Sequence, residues 1–335
     1  MKLQRNNIDK IVFDMDGVIT SEYDYWEAAA LTVYELLYSH KYYGVGNIDR
    51  KWCHDNLEMI YDTVFCGEKT VRAVKKLGVN TNWDLAYVVF CVAKYLDPEV
   101  TTFEQSHFDA VCMFIENIKI EAPELYTGVE GLIATAVKAE PGDFKRAEGK
   151  LWKQLIDVFQ LWFHGDGEIP GVKEREKPLL PLEKIKDTLG ALKNNGFRLG
   201  IGTGRPADEI VFPLKMWGLY DYFDSKLFCS YDQVEEAEKE LNPDTPLAKP
   251  HPYVFLKAAF GDKYSNAELC GGAVTPQMTE RCLVVGDAPS DMMSAQAGGF
   301  KFAAVLTGIS GEDGRKYYED NNSDMILDSV LDLKA

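Results

Sequence analysis

The chain has 335 residues, 46% hydrophobic and 27% charged, a length above the usual single domain of about 100–200 residues and a composition that excludes a long disordered tract. Its formal net charge of −17 is spread along the sequence, with 25 acidic against 16 basic residues between positions 21 and 175 (−9) and −8 in the remainder. Such a field excludes nucleic acid and anionic membrane as partners, and an anionic substrate would need a metal or a few aimed donors to overcome it. No run of about 18 apolar residues is long enough to span a bilayer, and residues 1–7 contain no apolar signal-peptide core, so the cytoplasm is the expected location. The seven cysteines include no Cys-x-x-Cys pair and sit mostly in apolar helical patterns, which predicts reduced core thiols.

The first element is a short buried strand at Ile11, Val12 and Phe13, which ends in Asp14, Met15, Asp16 and Gly17 and so delivers acids to a loop. From Ser21, the expected N-cap, apolar residues at Trp26, Ala29, Ala30, Val33, Leu36 and Leu37 follow helical spacing until Gly44. The same spacing recurs at Val71, Val74 and Leu77 and over 83–96, 103–118, 132–137 and 151–163, with hardly a strand signal among them. Five of the six tryptophans lie in this stretch, and they read as its own core in preference to an aromatic substrate pocket. Lys69, Arg72, Lys75 and Lys76 read as a solvated face in preference to an anion site.

From about Pro178 the pattern alternates. Residues 182–192 predict an amphipathic helix stopped at Asn194, Asn195 and Gly196, and 198–202 a strand leading into Thr203, Gly204, Arg205 and Pro206, the proline opening a helix. Further strands are predicted at 283–285 and 302–306, while 261–280 reads as a surface excursion with no assigned role. Strands separated by helices imply a parallel sheet with a site at the strand C-termini. Residues 21–175 then form an all-helical insertion after the first strand, too long for a structureless loop. Its expected linkers are residues 17–21 and 165–178, whose glycines and prolines suit hinges.

Four fragments stand at predicted strand ends: Asp14-Met15-Asp16-Gly17-Val18-Ile19-Thr20, Gly202-Thr203-Gly204-Arg205, Ala248-Lys249-Pro250 and Gly286-Asp287-Ala288-Pro289-Ser290-Asp291. Each alone is weak, since Asp and Gly are common where strands turn. In this order they resemble the four motifs of the haloacid dehalogenase superfamily, in its capped phosphatase branch with the phosphoglycolate phosphatases and β-phosphoglucomutases. The resemblance covers the α/β part, slightly over half of the chain. It implies an α/β fold with a Rossmann-like parallel-sheet core from residues 1–20 and 176–335 and a helical cap at 21–175 that closes over the strand ends.

The roles that the resemblance implies fit the residue types. Asp14 is the nucleophile and a metal ligand, and Asp16 is the general acid and base, its carbonyl a further ligand. Asp287 binds Mg2+ and Asp291 supports the metal site. Thr203 and nearby backbone N–H groups, with Gly204 and Arg205, face the phosphate, and Lys249 offsets charge on phosphate and nucleophile. His251 is a lesser candidate for acid–base work, because Asp16 already fills that role. The second acid, Asp16, disfavours dehalogenation, and Thr203-Gly204-Arg205-Pro206 favours a phosphatase acting on a small phosphorylated metabolite over a phosphosugar mutase or a non-catalytic phospho-ligand binder. Substrate identity and oligomeric state are not legible.

Overall fold

The computed structural model describes residues 7–79 and 81–334. Residues 1–6, where no apolar leader was expected, lie outside the described residues. The chain folds as two compact units, Met1–Ser21 with Lys177–Ala335, and Glu22–Glu176.

The first unit is built on a six-stranded sheet: β1 Lys10–Phe13, β2 Arg198–Gly202, β3 Phe228–Cys229, β4 Cys282–Gly286, β5 Lys301–Val305 and β6 Met325–Leu327. All pairings are parallel, in the order β3-β2-β1-β4-β5-β6. Because side chains alternate across a strand, Ile11, Phe13, Leu283, Val285, Ala303 and Val305 pack into one buried core, with Leu189 and Leu192 of the helix Leu182–Asn194. Val12, Val284, Phe302 and Ala304 pack into the other, against Phe255 and Ala258 of Tyr253–Phe260 and Met292 and Ala295 of Pro289–Ala297. Helices thus cover both faces of the sheet, as parallel strands require. The short strands β3 and β6 carry too few apolar residues to signal themselves. The 261–280 excursion contains two short helices, Asn266–Cys270 and Pro276–Thr279, and is tied down by the buried Thr279 hydroxyl, which donates to the Gly299 carbonyl at 2.9 Å.

The second unit is helical. Tyr23–Tyr38 and Asn82–Leu96 are buried nearly all round, the mark of central helices, and Leu57–Phe65, Gln105–Glu116, Glu124–Val137 and Lys150–His164 pack about them. Trp26, Trp152 and Trp162 are buried here as expected, whereas Trp52 is exposed. The helix Arg50–Asp55 and the helix Leu57–Phe65 were not legible in the apolar spacing. On Lys69–Lys76, Lys75 pairs with Glu22 at 3.0 Å and Arg72 with Glu68 at 2.7 Å, while Lys69 and Lys76 are exposed. The seven cysteines are free thiols.

Several local expectations are corrected. The N-cap of Tyr23–Tyr38 is Glu22 without a side-chain cap, not Ser21, and the helix ends at Ser39, whose extended backbone stops it before Gly44. Pro206 precedes the helix Ala207–Met216 as its N-cap instead of lying in its first turn. Residues 17–20 form a tight turn, not a loose linker: the Met15 carbonyl accepts from the N–H groups of Val18, Ile19 and Thr20, and all three residues are buried. The Gly165 end of the other expected linker lies within the helical unit, where the short helix Val172–Arg175 packs on its neighbours.

Leu189→Ala should remove a fully buried contact of the first core and lower unfolding free energy by about 2–5 kcal/mol, read as a shift of the denaturant midpoint of the α/β unit.

Candidate active site

The candidate residues meet because β1 lies at the point where the strand order reverses, with connections leaving in opposite directions. Phe13 pairs with both Ile201 and Val285, so the chain beyond these positions leaves the sheet at one edge. The Asp14 N–H donates to the Val285 carbonyl at 2.9 Å and the Thr203 N–H to the Cys229 carbonyl at 3.1 Å. Both residues are therefore held by the ladder just before their loops begin. Thr203 is buried, whereas Gly204 is exposed and a Cβ there would meet nothing within 4 Å.

Lys249, expected at a strand end, instead enters between β3 and β4 from the loop that joins the helices Tyr231–Leu241 and Tyr253–Phe260. Its Nζ stands 3.0 Å from Asp14 Oδ1 and 2.8 Å from Asp291 Oδ1. Asp291 lies in the first turn of Pro289–Ala297, where its Oδ2 accepts from the Ala288 N–H at 3.2 Å. Carboxylate oxygens of Asp14, Asp287 and Asp291 lie within 4.8 Å of one another. Although both Oδ1 atoms are within ion-pair distance of Lys249, neither receives an aligned hydrogen bond.

Burial is the largest influence on Asp14 and pushes its pKa up; Lys249 pulls it down, and Asp291 and Asp16 push it up again. Burial also disfavours the Lys249 ammonium, but Asp14 and Asp291 outweigh it and hold its pKa above the usual lysine range. One ammonium thus faces a group of acids whose mutual repulsion it does not cancel. A bound cation would ease that repulsion, and three carboxylates at this spacing are hard oxygen donors suited to a small divalent ion.

The Asp287 position is set by shape. Gly17 adopts φ +70°, and a Cβ there would overlap Asp287 Oδ2, as would one on Gly308. Glycine at both positions leaves room for the carboxylate as it stands, and at Gly17 the positive φ itself favours glycine. The Thr307 hydroxyl donates to the Gly17 carbonyl at 2.5 Å, and the Tyr318 hydroxyl donates to the Asp287 carbonyl. Thr307, Gly308 and Tyr318 were not among the sequence candidates. The signal for the first two was their place just past β5, at the same edge of the sheet as the motifs.

Asp16 is not one of the three clustered acids. Its carboxylate accepts from Arg205 Nη2 at 2.5 Å and Nε at 3.2 Å on Oδ1, from the same Nε at 3.1 Å on Oδ2, and from the Thr20 hydroxyl at 3.1 Å on Oδ1. Arg205, expected at the phosphate, is 3% exposed, and its guanidinium also donates to Thr20 Oγ1 at 3.0 Å and to the Glu209 carbonyl at 3.2 Å. Thr20, at the end of the first motif, is fully buried in this network. His251 has a local task instead: its Nδ1 accepts from the Tyr253 N–H at 3.1 Å and its carbonyl from the Ser294 hydroxyl at 2.8 Å, and burial lowers its pKa.

Residues 8–299 match the sequence model of the haloacid dehalogenase-like hydrolases, and the chain belongs to that family. The expectation of a hydrolase with this α/β fold is borne out. More particularly, the chain is similar to the pyrophosphatase PpaX of Halalkalibacterium halodurans, at 26% identity over 57% of this chain and 71% of that protein. It is similar also to PpaX of Bacillus pumilus, at 29% identity over 57% and 72%. An X-ray structure of a Northeast Structural Genomics Consortium target superimposes with a TM-score of 0.78 at 27% identity, covering 96% of each chain. No helix among the described residues is long and apolar enough to cross a membrane.

Lys249→Met should leave buried carboxylates without their ammonium and lower stability in metal-free buffer at neutral pH by about 3–5 kcal/mol, the cost of breaking a buried pair. Chemical denaturation reads this; an unchanged midpoint would mean that Lys249 contributes nothing to holding the acids together.

Proposed function

We propose that the chain is a magnesium-dependent phosphatase that hydrolyses a small phosphorylated metabolite in the cytoplasm through an aspartyl-phosphate at Asp14. The observation that supports this reading most is the group of Asp14, Asp287 and Asp291 carboxylates against the Lys249 ammonium at one edge of the sheet. Buried carboxylate oxygens without aligned donors are what a cation site leaves behind. Asp14, Asp287 and Asp291, with the carbonyl of Asp16, would hold Mg2+, which when bound offsets the negative charge that otherwise keeps a phosphate away.

The chain's own residues then divide the reaction in two. A carboxylate oxygen of Asp14 forms a bond to phosphorus as the bond to the leaving oxygen breaks, and that oxygen takes the electron pair together with a proton from Asp16. Asp16 next takes a proton from water, whose oxygen attacks phosphorus and releases the Asp14 carboxylate. Thr203 and the backbone N–H groups after β2 would donate to phosphoryl oxygens, and Lys249 would offset charge on the phosphate and the nucleophile. That relatives named pyrophosphatase match over more than half of this chain supports phosphorus as the electrophile.

Screening phosphorylated metabolites with Mg2+ should find one that releases phosphate stoichiometrically, and excess chelator should abolish that release. Asp14→Asn should remove turnover, and Asp16→Asn should lower it by about 10²–10⁴. Full activity in chelator would sink the magnesium mechanism. Rapid interconversion of hexose phosphate isomers, stimulated by a bisphosphate and with little free phosphate, would identify a mutase instead.

Gly308→Ala drives a methyl group into Asp287, so Mg2+ affinity measured by titration calorimetry should fall by about 10–100-fold, the range seen when the support of a metal ligand is disturbed. Unaltered affinity would remove Asp287 from the ligand set.

A further inference from the structure

Arg205 is the most completely buried cation beside the proposed chemistry, and its guanidinium is turned to Asp16 instead of to an open position where a phosphate could sit. Its side chain is 2% exposed, against 25% for Asp16. The Asp16 oxygens are treated differently. Oδ1 receives Arg205 Nη2, a share of Nε and the Thr20 hydroxyl, whereas Oδ2, among the described residues, receives only the other share of Nε. A carboxylate oxygen has about two lone-pair sites, so Oδ1 has no acceptor capacity left and Oδ2 has.

We propose that Arg205 is a positioning residue for Asp16: with Thr20 it saturates Oδ1, fixes the plane of the carboxyl group and leaves Oδ2 as the oxygen that gives and takes the proton. This rests on the acid–base role of Asp16 proposed above. In the first half-reaction Oδ2–H passes its proton to the leaving oxygen as the P–O bond breaks. The negative charge that this leaves on Asp16 is met by a guanidinium already in place, so no reorganisation is needed at that moment. In the second, Oδ2 takes a proton from the attacking water and the group returns to its starting form. The guanidinium is itself held by Thr20 Oγ1 and the Glu209 carbonyl, so its fork is fixed before substrate arrives. A lysine would bring the charge but not the fork.

The test uses leaving-group dependence, because a good leaving group departs with little protonation and a poor one does not. For the full chain with Mg2+, kcat/KM is measured on aryl phosphates from p-nitrophenyl to unsubstituted phenyl and on the physiological ester found by screening. Arg205→Ala should cost about 10²-fold on the poor leaving groups and only a few-fold on p-nitrophenyl phosphate, with KM little changed. Arg205→Lys should recover little, and added guanidinium should restore part of the loss in Arg205→Ala. Thr20→Val should change the dependence in the same direction by less. Equal losses on good and poor leaving groups would overturn the proposal, since a general disturbance of the fold has no reason to discriminate between them. If Asp16→Asn also fails to discriminate, the acid–base reading is what falls; if it discriminates and Arg205→Ala does not, only the present inference falls. A crystal structure of Arg205→Ala gives a reading independent of turnover: Asp16 should lose its single orientation, and an unmoved carboxylate would overturn the proposal.

Discussion

The site depends on one electrostatic problem: three carboxylates lie within 4.8 Å of one another with a single ammonium between two of them. Left to themselves these acids repel, and burial raises the cost, because a low-dielectric surrounding strengthens every uncompensated charge. Lys249 answers part of the repulsion through Asp14 and Asp291. Asp287 is held by other means, with its carboxylate confined between two glycines and its carbonyl bound by Tyr318. Charge alone would push these acids apart, and it is the surrounding backbone that keeps them together.

That backbone is a consequence of the parallel sheet. With β1 central and its neighbours reached by crossovers in opposite directions, loops from several strands leave the same edge. Residues far apart in the sequence, such as Asp14 and Asp287, become neighbours without any long side chain having to reach. The two hydrophobic cores, one on each face, fix strand register through alternating side chains. A slip of one residue would turn Phe13 and Val12 to the wrong faces and move Asp14 away from Val285. The site therefore inherits its precision from the core packing beneath it.

The two acids of the first motif have been separated by their surroundings. Asp14 faces an ammonium and other carboxylates, a setting suited to a nucleophile beside a cation, while Asp16 faces a buried guanidinium and a hydroxyl, a setting suited to holding a proton-transferring group in one orientation. Two residues of the same type, separated only by Met15, so acquire different partners. The tight turn at Met15–Thr20 makes this possible by folding Thr20 back against Asp16.

Much of this was legible from the amino-acid order alone. The apolar run before Asp14, the helical spacing after it and the return to alternating strands and helices near Pro178 state the α/β class and the helical insertion, because periodicity is a local property of a chain. The fragments at 14–20, 202–205 and 286–291 likewise announce themselves at strand ends, whereas Lys249 comes from the loop between the helices Tyr231–Leu241 and Tyr253–Phe260. Tertiary structure decided what depends on residues distant in sequence. That Arg205 turns to Asp16, that Arg205 also binds Thr20, and that Gly308 and Tyr318 seat Asp287 follow from contacts between residues well separated along the chain, for which no local pattern exists. Strands β3 and β6 escaped for the related reason that two or three residues carry no period, and only pairing with a neighbour makes them strands.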